Sequence, residues 1–286
     1  MEGNILLHAV TAALYLALGA YFWHTRWRAA APSTEKRWAD YAVPVPLALH
    51  TWLLWTELLQ AETLHFGFGQ ALSVTLWLAV AIYWVESLFL NVQGMHGIVL
   101  PVAAVCAFLP ALFPGPVTPA YTQHLAFRTH LLLAMGAYSL FTIGAIHALL
   151  MAVLDRNLHG DAPRSRRNGD RSKAALLHGM LAGMPPLLTL ERLLFRILGV
   201  GFILLTLTLA SGILFSEELF GQPLQFNHKT IFAFVSWFIF GALLAGRRFY
   251  GWRGRRALRW TTAGFAVLLL AYVGTRFVLE VLLGRT

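Results

Sequence analysis

From Thr230 to Gly246 the chain runs for 17 residues without a charge, and six arginines follow between Arg247 and Arg259. An apolar segment of about 17 residues is just long enough to cross the hydrocarbon core of a bilayer as a helix. Arginine clusters beside such a segment stay on the cytoplasmic side, because moving them through the membrane is disfavoured. This one stretch therefore sets an orientation. His228, ahead of the apolar run, is expected at the outer surface, and the arginines in the cytoplasm.

The rest of the chain repeats the pattern. Only 12% of its 286 residues are charged and 58% are hydrophobic, whereas a soluble domain carries about 25% charged residues. Eight apolar segments can be drawn: Asn4–His24, Ala42–Leu59, Gln70–Asn91, His96–Phe113, Phe127–Leu154, Glu191–Ser216, Thr230–Gly246 and Trp260–Leu283. Backbone in lipid must satisfy its own hydrogen bonds, so segments of this length read as helices. The expected fold class is an all-α, polytopic integral membrane bundle of about eight transmembrane helices. The first run lacks a basic leader and a small-residue cleavage pattern, which predicts an uncleaved first helix.

The loops alternate in charge. Arg26, Arg28, Lys36 and Arg37 follow the first run. Arg156, Arg164, Arg166, Arg167, Arg171 and Lys173 follow the fifth, and the six arginines follow the seventh, so these three loops hold sixteen of the 22 basic residues. The bias predicts both termini on the periplasmic side. The formal charge of +9 suits topology and anionic lipid, and no nucleic-acid stripe is present. Residues 1–286 read as a single membrane domain: five N-terminal helices over 1–154, a basic cytoplasmic linker over 155–190, and three C-terminal helices over 191–286. Cys106 is the only cysteine, which excludes an intrachain disulfide or a cysteine-built metal site.

The candidate chemistry lies with histidine. His24, His96, His147, His159 and His178 fall toward the cytoplasmic side, His50 inside the second helix, and His8, His65, His124, His130 and His228 toward the outer side. His130 and His228 stand near the outer boundary on separate helices, so two neutral imidazoles could fill both axial positions of a haem iron. Each alone is as readily an interfacial residue bonded to loop carbonyls. Glu57 and Glu86 sit in apolar runs, where a carboxylate serves proton or ion traffic or pairs with a polar neighbour. They support an alternative, an ion-coupled membrane carrier; a b-type electron-transfer cytochrome is another. Trp77, Trp84 and Trp237 are internal, and could line a porphyrin or simply pack the core. No HExxH, P-loop, serine–lysine dyad or dinucleotide turn occurs in a suitable context, so no catalytic activity is expected.

Three stretches, THLLLAMGAYSLFTIGAIHALLMAVLDRNL (129–158), MPPLLTLERLLFRILGVGFILLTLTLASGILF (184–215) and residues 228–278 beginning HKTIFAFVSW, resemble the cytochrome c assembly protein family. Within it they are most similar to the short inner-membrane YpjD-type branch, near the HemX-like and CcsA-like proteins. The resemblance implies a multi-pass protein of the bacterial cytoplasmic membrane that binds or handles haem in cytochrome biogenesis, with other cytochrome-assembly membrane proteins as partners. It implies that His130 is an outward-facing haem ligand followed by Tyr138, and that Lys229 and Trp237 match the segment after the haem-presenting loop. That loop is tryptophan-rich in the synthases, whereas Glu217–Lys229 contains no tryptophan. The expectation is thus non-covalent, b-type haem, with His228 as a local candidate for the second ligand.

Overall fold

The computed structural model describes residues 2–27, 41–60, 65–89, 96–116, 125–159, 187–214, 216 and 228–278. Among them the chain forms α1 (Glu2–Phe22), α2 (Pro44–Trp55), α3 (Phe68–Phe89), α4 (His96–Leu112), α5 (Leu125–His159), α6 (Leu187–Leu214), α7 (His228–Tyr250) and α8 (Gly254–Leu269). Three π-helical segments extend these rods: Trp23–Trp27 after α1, Thr56–Gln60 after α2 and Leu270–Gly274 after α8, the last followed by a final turn Thr275–Phe277. The protein is an all-α membrane bundle. Helices over Ile5–Thr25, Phe68–Phe89, Ala126–Asp155, Leu187–Leu214 and His228–Tyr250 are each long and apolar enough to cross a membrane, and α4 is a shorter apolar helix. Together with its π extension, α2 spans Pro44 to Gln60, about 25 Å at the helical rise.

A helix that is apolar on all sides belongs in the interior, and α5 is that helix. From Met135 to Ala145 its residues are buried in an unbroken run. One face (Leu140, Ile143, Leu150) joins a core built with α1, α3 and α4. Another (Met135, Ala137, Tyr138, Phe141, Ala148, Met151) joins a second core with α6, α7 and α8. α5 is thus the shared wall between two four-helix groups. Small residues make the close approach possible. A Cβ on Gly144 would lie 3.1 Å from Leu198 Cδ2 of α6, and one on Gly19 of α1 would lie 2.6 Å from Pro101 Cδ of α4. Without aqueous driving force between helices in lipid, such small-residue contacts supply the packing.

The pairs α1–α4, α5–α6 and α7–α8 run antiparallel. His8 of α1 meets Ala107 of α4, His130 of α5 meets Ser211 of α6, and Gly264 of α8 meets Phe240 of α7. Phe277 packs edge-on against Phe68 at the start of α3, with centroids 5.6 Å apart. The described chain therefore begins and ends at one end of the bundle. That end is stitched by polar contacts outside the helices: Phe66 N–H donates to the Pro116 carbonyl at 3.2 Å, and Gln70 Nε2 donates to the Pro114 carbonyl at 2.9 Å.

The opposite end carries the arginines and differs from the expected long loop. α8 begins at Gly254 rather than near Trp260, so only residues 251–253 separate it from α7. Gly251 and Gly254 take φ of +64° and +55°, a region open to glycine, which lets the chain reverse that tightly. Trp252 N–H donates to the Gly246 carbonyl at 3.1 Å, and the indole lies where a Cβ on Gly246 would fall 2.4 Å from Trp252 Cδ2. Arg247 pairs with Glu191 of α6 at 2.6 Å and stacks over Phe195 at 4.7 Å. Arg255 pairs with Asp155 of α5. The proposed linker over 155–190 is narrowed from both sides, since α5 continues to His159 and α6 starts at Leu187. Residues 160–186, and with them His178, lie outside the described residues, as does His124.

Candidate functional site

His130 sits in the first two turns of α5 and leans on α6. Its Nδ1 lies 2.9 Å from Ser211 Oγ, and its Cε1 would be 3.4 Å from a Cβ on Gly212. The Ser211 hydroxyl also lies 2.9 Å from the Thr208 carbonyl, to which it can donate; in that arrangement its oxygen accepts from His130, and Nδ1 carries the ring proton. A metal-ligating histidine is oriented in the same manner, with its second nitrogen donating to a fixed acceptor.

Tyr138 and His130 point to different helices. Eight residues amount to a rotation of about 80° beyond two full turns. Accordingly, Tyr138 is buried and donates its hydroxyl to the Leu268 carbonyl of α8 at 2.7 Å, just where α8 gives way to the π segment. Trp237 of α7 stacks on Phe202 of α6 with centroids 5.5 Å apart and donates Nε1 to Thr206 Oγ1 at 2.9 Å. His228 is the first residue of α7 and is exposed. His130, Trp237 and their partners thus flank α6, while Tyr138 serves the α5–α8 contact. The internal tryptophan Trp77 donates to Thr51 Oγ1 at 2.9 Å.

A second polar group lies in the first four helices, and only part of it is visible in a list of histidines. His8 Nδ1 is 2.7 Å from the Ala107 carbonyl, and its Nε2 is 2.6 Å from Glu57 Oε1. One level deeper, His50 Nε2 lies 2.8 Å from Ser73 Oγ, and the Tyr15 ring meets His50 edge-on at 5.8 Å. His8, Tyr15, His50 and Ser73 are all buried. A signal was available in the sequence. His8 and Tyr15 are seven apart on α1, and His50 and Glu57 are seven apart on α2 and its π extension, which places each pair on one face. In an antiparallel pairing His8 then meets Glu57 as Tyr15 meets His50. His96 and His147, read as lying toward the cytoplasmic side, are fully buried. His96 stacks on Phe22 at 4.5 Å, and His147 Nδ1 donates back to the Ile143 carbonyl at 2.9 Å. Among the described residues no group of three or more His, Cys, Asp or Glu side chains could hold a bare metal ion.

Against this geometry, the family model for cytochrome C assembly protein matches residues 38–283. The chain belongs to the cytochrome c assembly protein family. The matched region takes in every helix from α2 onward, His130 and His228 included. Inner membrane protein YpjD of Escherichia coli K12 is 30% identical over 189 residues, covering 65% of this chain and 65% of YpjD. Cytochrome c biogenesis protein CcsA of Thermosynechococcus vestitus is 28% identical over 211 residues, 64% of this chain and 66% of that protein. An uncharacterized 28.8 kDa protein of Azospirillum brasilense is 26% identical over 290 residues, 99% of this chain and all of the other. The match thus spans about two thirds of YpjD and of CcsA. No solved structure matches the chain. With several membrane-spanning helices and inner-membrane relatives, this family member is a multi-pass protein of the bacterial inner membrane.

Proposed function

We propose that this protein holds haem non-covalently at the His130 end of the bundle and assists cytochrome c biogenesis or haem handling, without catalytic turnover of its own. The observation that carries the reading is the seating of His130 against α6, its Nδ1 2.9 Å from Ser211 Oγ and that hydroxyl 2.9 Å from the Thr208 carbonyl, an arrangement in which the ring donates through Nδ1. An imidazole so oriented suits an axial ligand of haem iron. His228, exposed at the start of the neighbouring α7, is the second candidate. Apolar faces of α6 and α7 around Phe202 and Trp237 would flank the porphyrin, whereas Tyr138 acts from behind by holding α5 to α8. When bound, haem supplies a redox-active iron. Residues 217–229 contain no tryptophan, which favours holding over covalent transfer. The relative CcsA is named for cytochrome c biogenesis, and other cytochrome-assembly membrane proteins are the corresponding partners. We place the arginine-bearing end in the cytoplasm and the His130 end in the periplasm.

The test is the absorbance of the purified full chain after haem addition. His130→Ala should remove most of the Soret band while the protein still inserts, and His228→Ala should weaken it or convert a six-coordinate spectrum to a five-coordinate one. His159→Ala should change nothing. Unchanged haem content in both outer variants rejects the site. Rapid reduction of the bound haem by a quinol would favour an electron-transfer cytochrome instead.

A further inference from the structure

At the arginine end of the bundle, away from the proposed haem site and independent of it, the groove between α6 and α7 gathers cations that no described carboxylate neutralises. On α5 to α8 the described carboxylates are Asp155 and Glu191. Each already has an arginine, Arg255 for Asp155 and Arg247 for Glu191. Arg192, Arg196 and Arg248 are exposed, with no carboxylate partner among the described residues.

The contacts between the two helices fix where these three arginines lie. Glu191, Phe195, Phe202 and Thr206 are the α6 residues that meet Arg247 and Trp237 of α7. Arg192, Arg196, Gly199 and Ile203 form the next strip around α6, about 80° further toward its exposed side. On α7, Arg248 continues the strip of Gly241 and Leu244, and a Cβ on Gly241 would lie 3.4 Å from Phe202 Cζ. Arg248 therefore borders the groove from the other side. The register of Glu191 with Arg247 and Phe202 with Gly241 puts Arg192 level with Arg248, and Arg196 one turn deeper. An arginine so placed rests its stem on apolar surface while its guanidinium reaches the headgroup level.

Deeper in the membrane the groove is open and apolar. A Cβ on Gly199 would meet nothing within 4 Å, Ala245 of α7 across from Arg196 is small, and Ile203 is 60% exposed. Phe249 and Tyr250, 76% and 80% exposed at the end of α7, stand where an interfacial aromatic belt belongs. Unpaired cations at headgroup depth above an apolar trough complement a molecule that carries both a phosphate anion and acyl chains, and basic pockets between membrane helices bind such headgroups. We propose that the α6–α7 groove binds one acidic phospholipid, its phosphate held by Arg192, Arg196 and Arg248 and an acyl chain lying over Gly199 along Ile203. The forked guanidinium donors suit phosphate oxygens.

Native mass spectra of the purified full chain, delipidated in detergent and titrated with phosphatidylglycerol or phosphatidylcholine without haem, test the site. The wild type should retain one phosphatidylglycerol at concentrations where phosphatidylcholine does not bind; equal retention of both overturns the proposal. Arg192→Gln with Arg248→Gln should weaken that binding by about 25-fold, or about fivefold for each cation. Arg253→Gln with Arg259→Gln removes the same charge from the turn and α8, and should bind close to wild type. Equal losses in the two double variants would mean diffuse attraction to the arginine end and would overturn the groove. Gly199→Leu fills the trough without changing charge, in space open enough for it to fold, and should also weaken binding. Unchanged affinity in Gly199→Leu overturns the proposal even if the arginine variants fail to fold. Displacement of the lipid by an equal concentration of inorganic phosphate would make this a free-anion site and overturn the lipid assignment. Soret absorbance plays no part in this readout, so failure here leaves the haem reading standing, and the reverse.

Discussion

Replacing Ser211 by alanine isolates the link between the helix packing and the proposed haem site. The hydroxyl lies 2.9 Å from His130 Nδ1 and 2.9 Å from the Thr208 carbonyl. Its loss removes a partner that orients the ring, while the Thr208 carbonyl keeps its place in α6. One half-buried hydrogen bond contributes about 1 kcal/mol, too little to unfold the bundle. Its effect on a bound metal is larger. Removing the group that orients a ligating histidine typically costs about 10–100-fold in affinity, or about 1.4–2.8 kcal/mol. Haem titration followed at the Soret band should therefore show the dissociation constant of Ser211→Ala rising by at least about tenfold. Ser211→Thr, which keeps the hydroxyl, should stay near wild type. If His130→Ala abolishes binding but Ser211→Ala binds as wild type does, the orienting role of Ser211 is refuted while the ligand assignment survives.

Arg247→Ala would leave Glu191, itself 8% exposed, without its cation. Breaking a fully buried pair costs about 3–5 kcal/mol; with the Arg247 side chain 27% exposed, a loss of about 2 kcal/mol is expected, read as a lower thermal midpoint in detergent and relieved by adding Glu191→Gln. Gly246→Ala forces a methyl to within 2.4 Å of the Trp252 indole, so it should destabilise by about 1–3 kcal/mol, and adding Trp252→Ala should recover part of the loss in the same assay. Tyr138→Phe removes the bond to the Leu268 carbonyl and should cost about 1 kcal/mol of stability with little change in haem affinity; a loss of haem matching that of His130→Ala would place Tyr138 in the site itself. Reporter fusions after Gly160 should read cytoplasmic and fusions at Thr286 periplasmic, and a cytoplasmic reading at Thr286 would break the even number of crossings.

The number and direction of the helices were legible from the sequence because they depend on one-dimensional quantities. Bilayer thickness sets the length of each apolar run, and the basic residues cluster at alternate ends; the eight helical rods follow from these alone. That His130 and His228 fall at the helix ends away from the arginines was legible for the same reason. Which face of each helix turns to which neighbour was not. In water an apolar stripe marks the buried face, but in lipid both faces are apolar and the 3.6-residue signal is erased, as the uninterrupted run of α5 shows. The tertiary structure alone therefore set His130 on Ser211 and turned Tyr138 away to Leu268. It also shortened the arginine loop to a turn, because that turn depends on Gly251, Gly254 and the indole seated on Gly246 together. Chain composition decides how often the protein crosses the membrane; packing between small residues decides which polar atoms meet inside it.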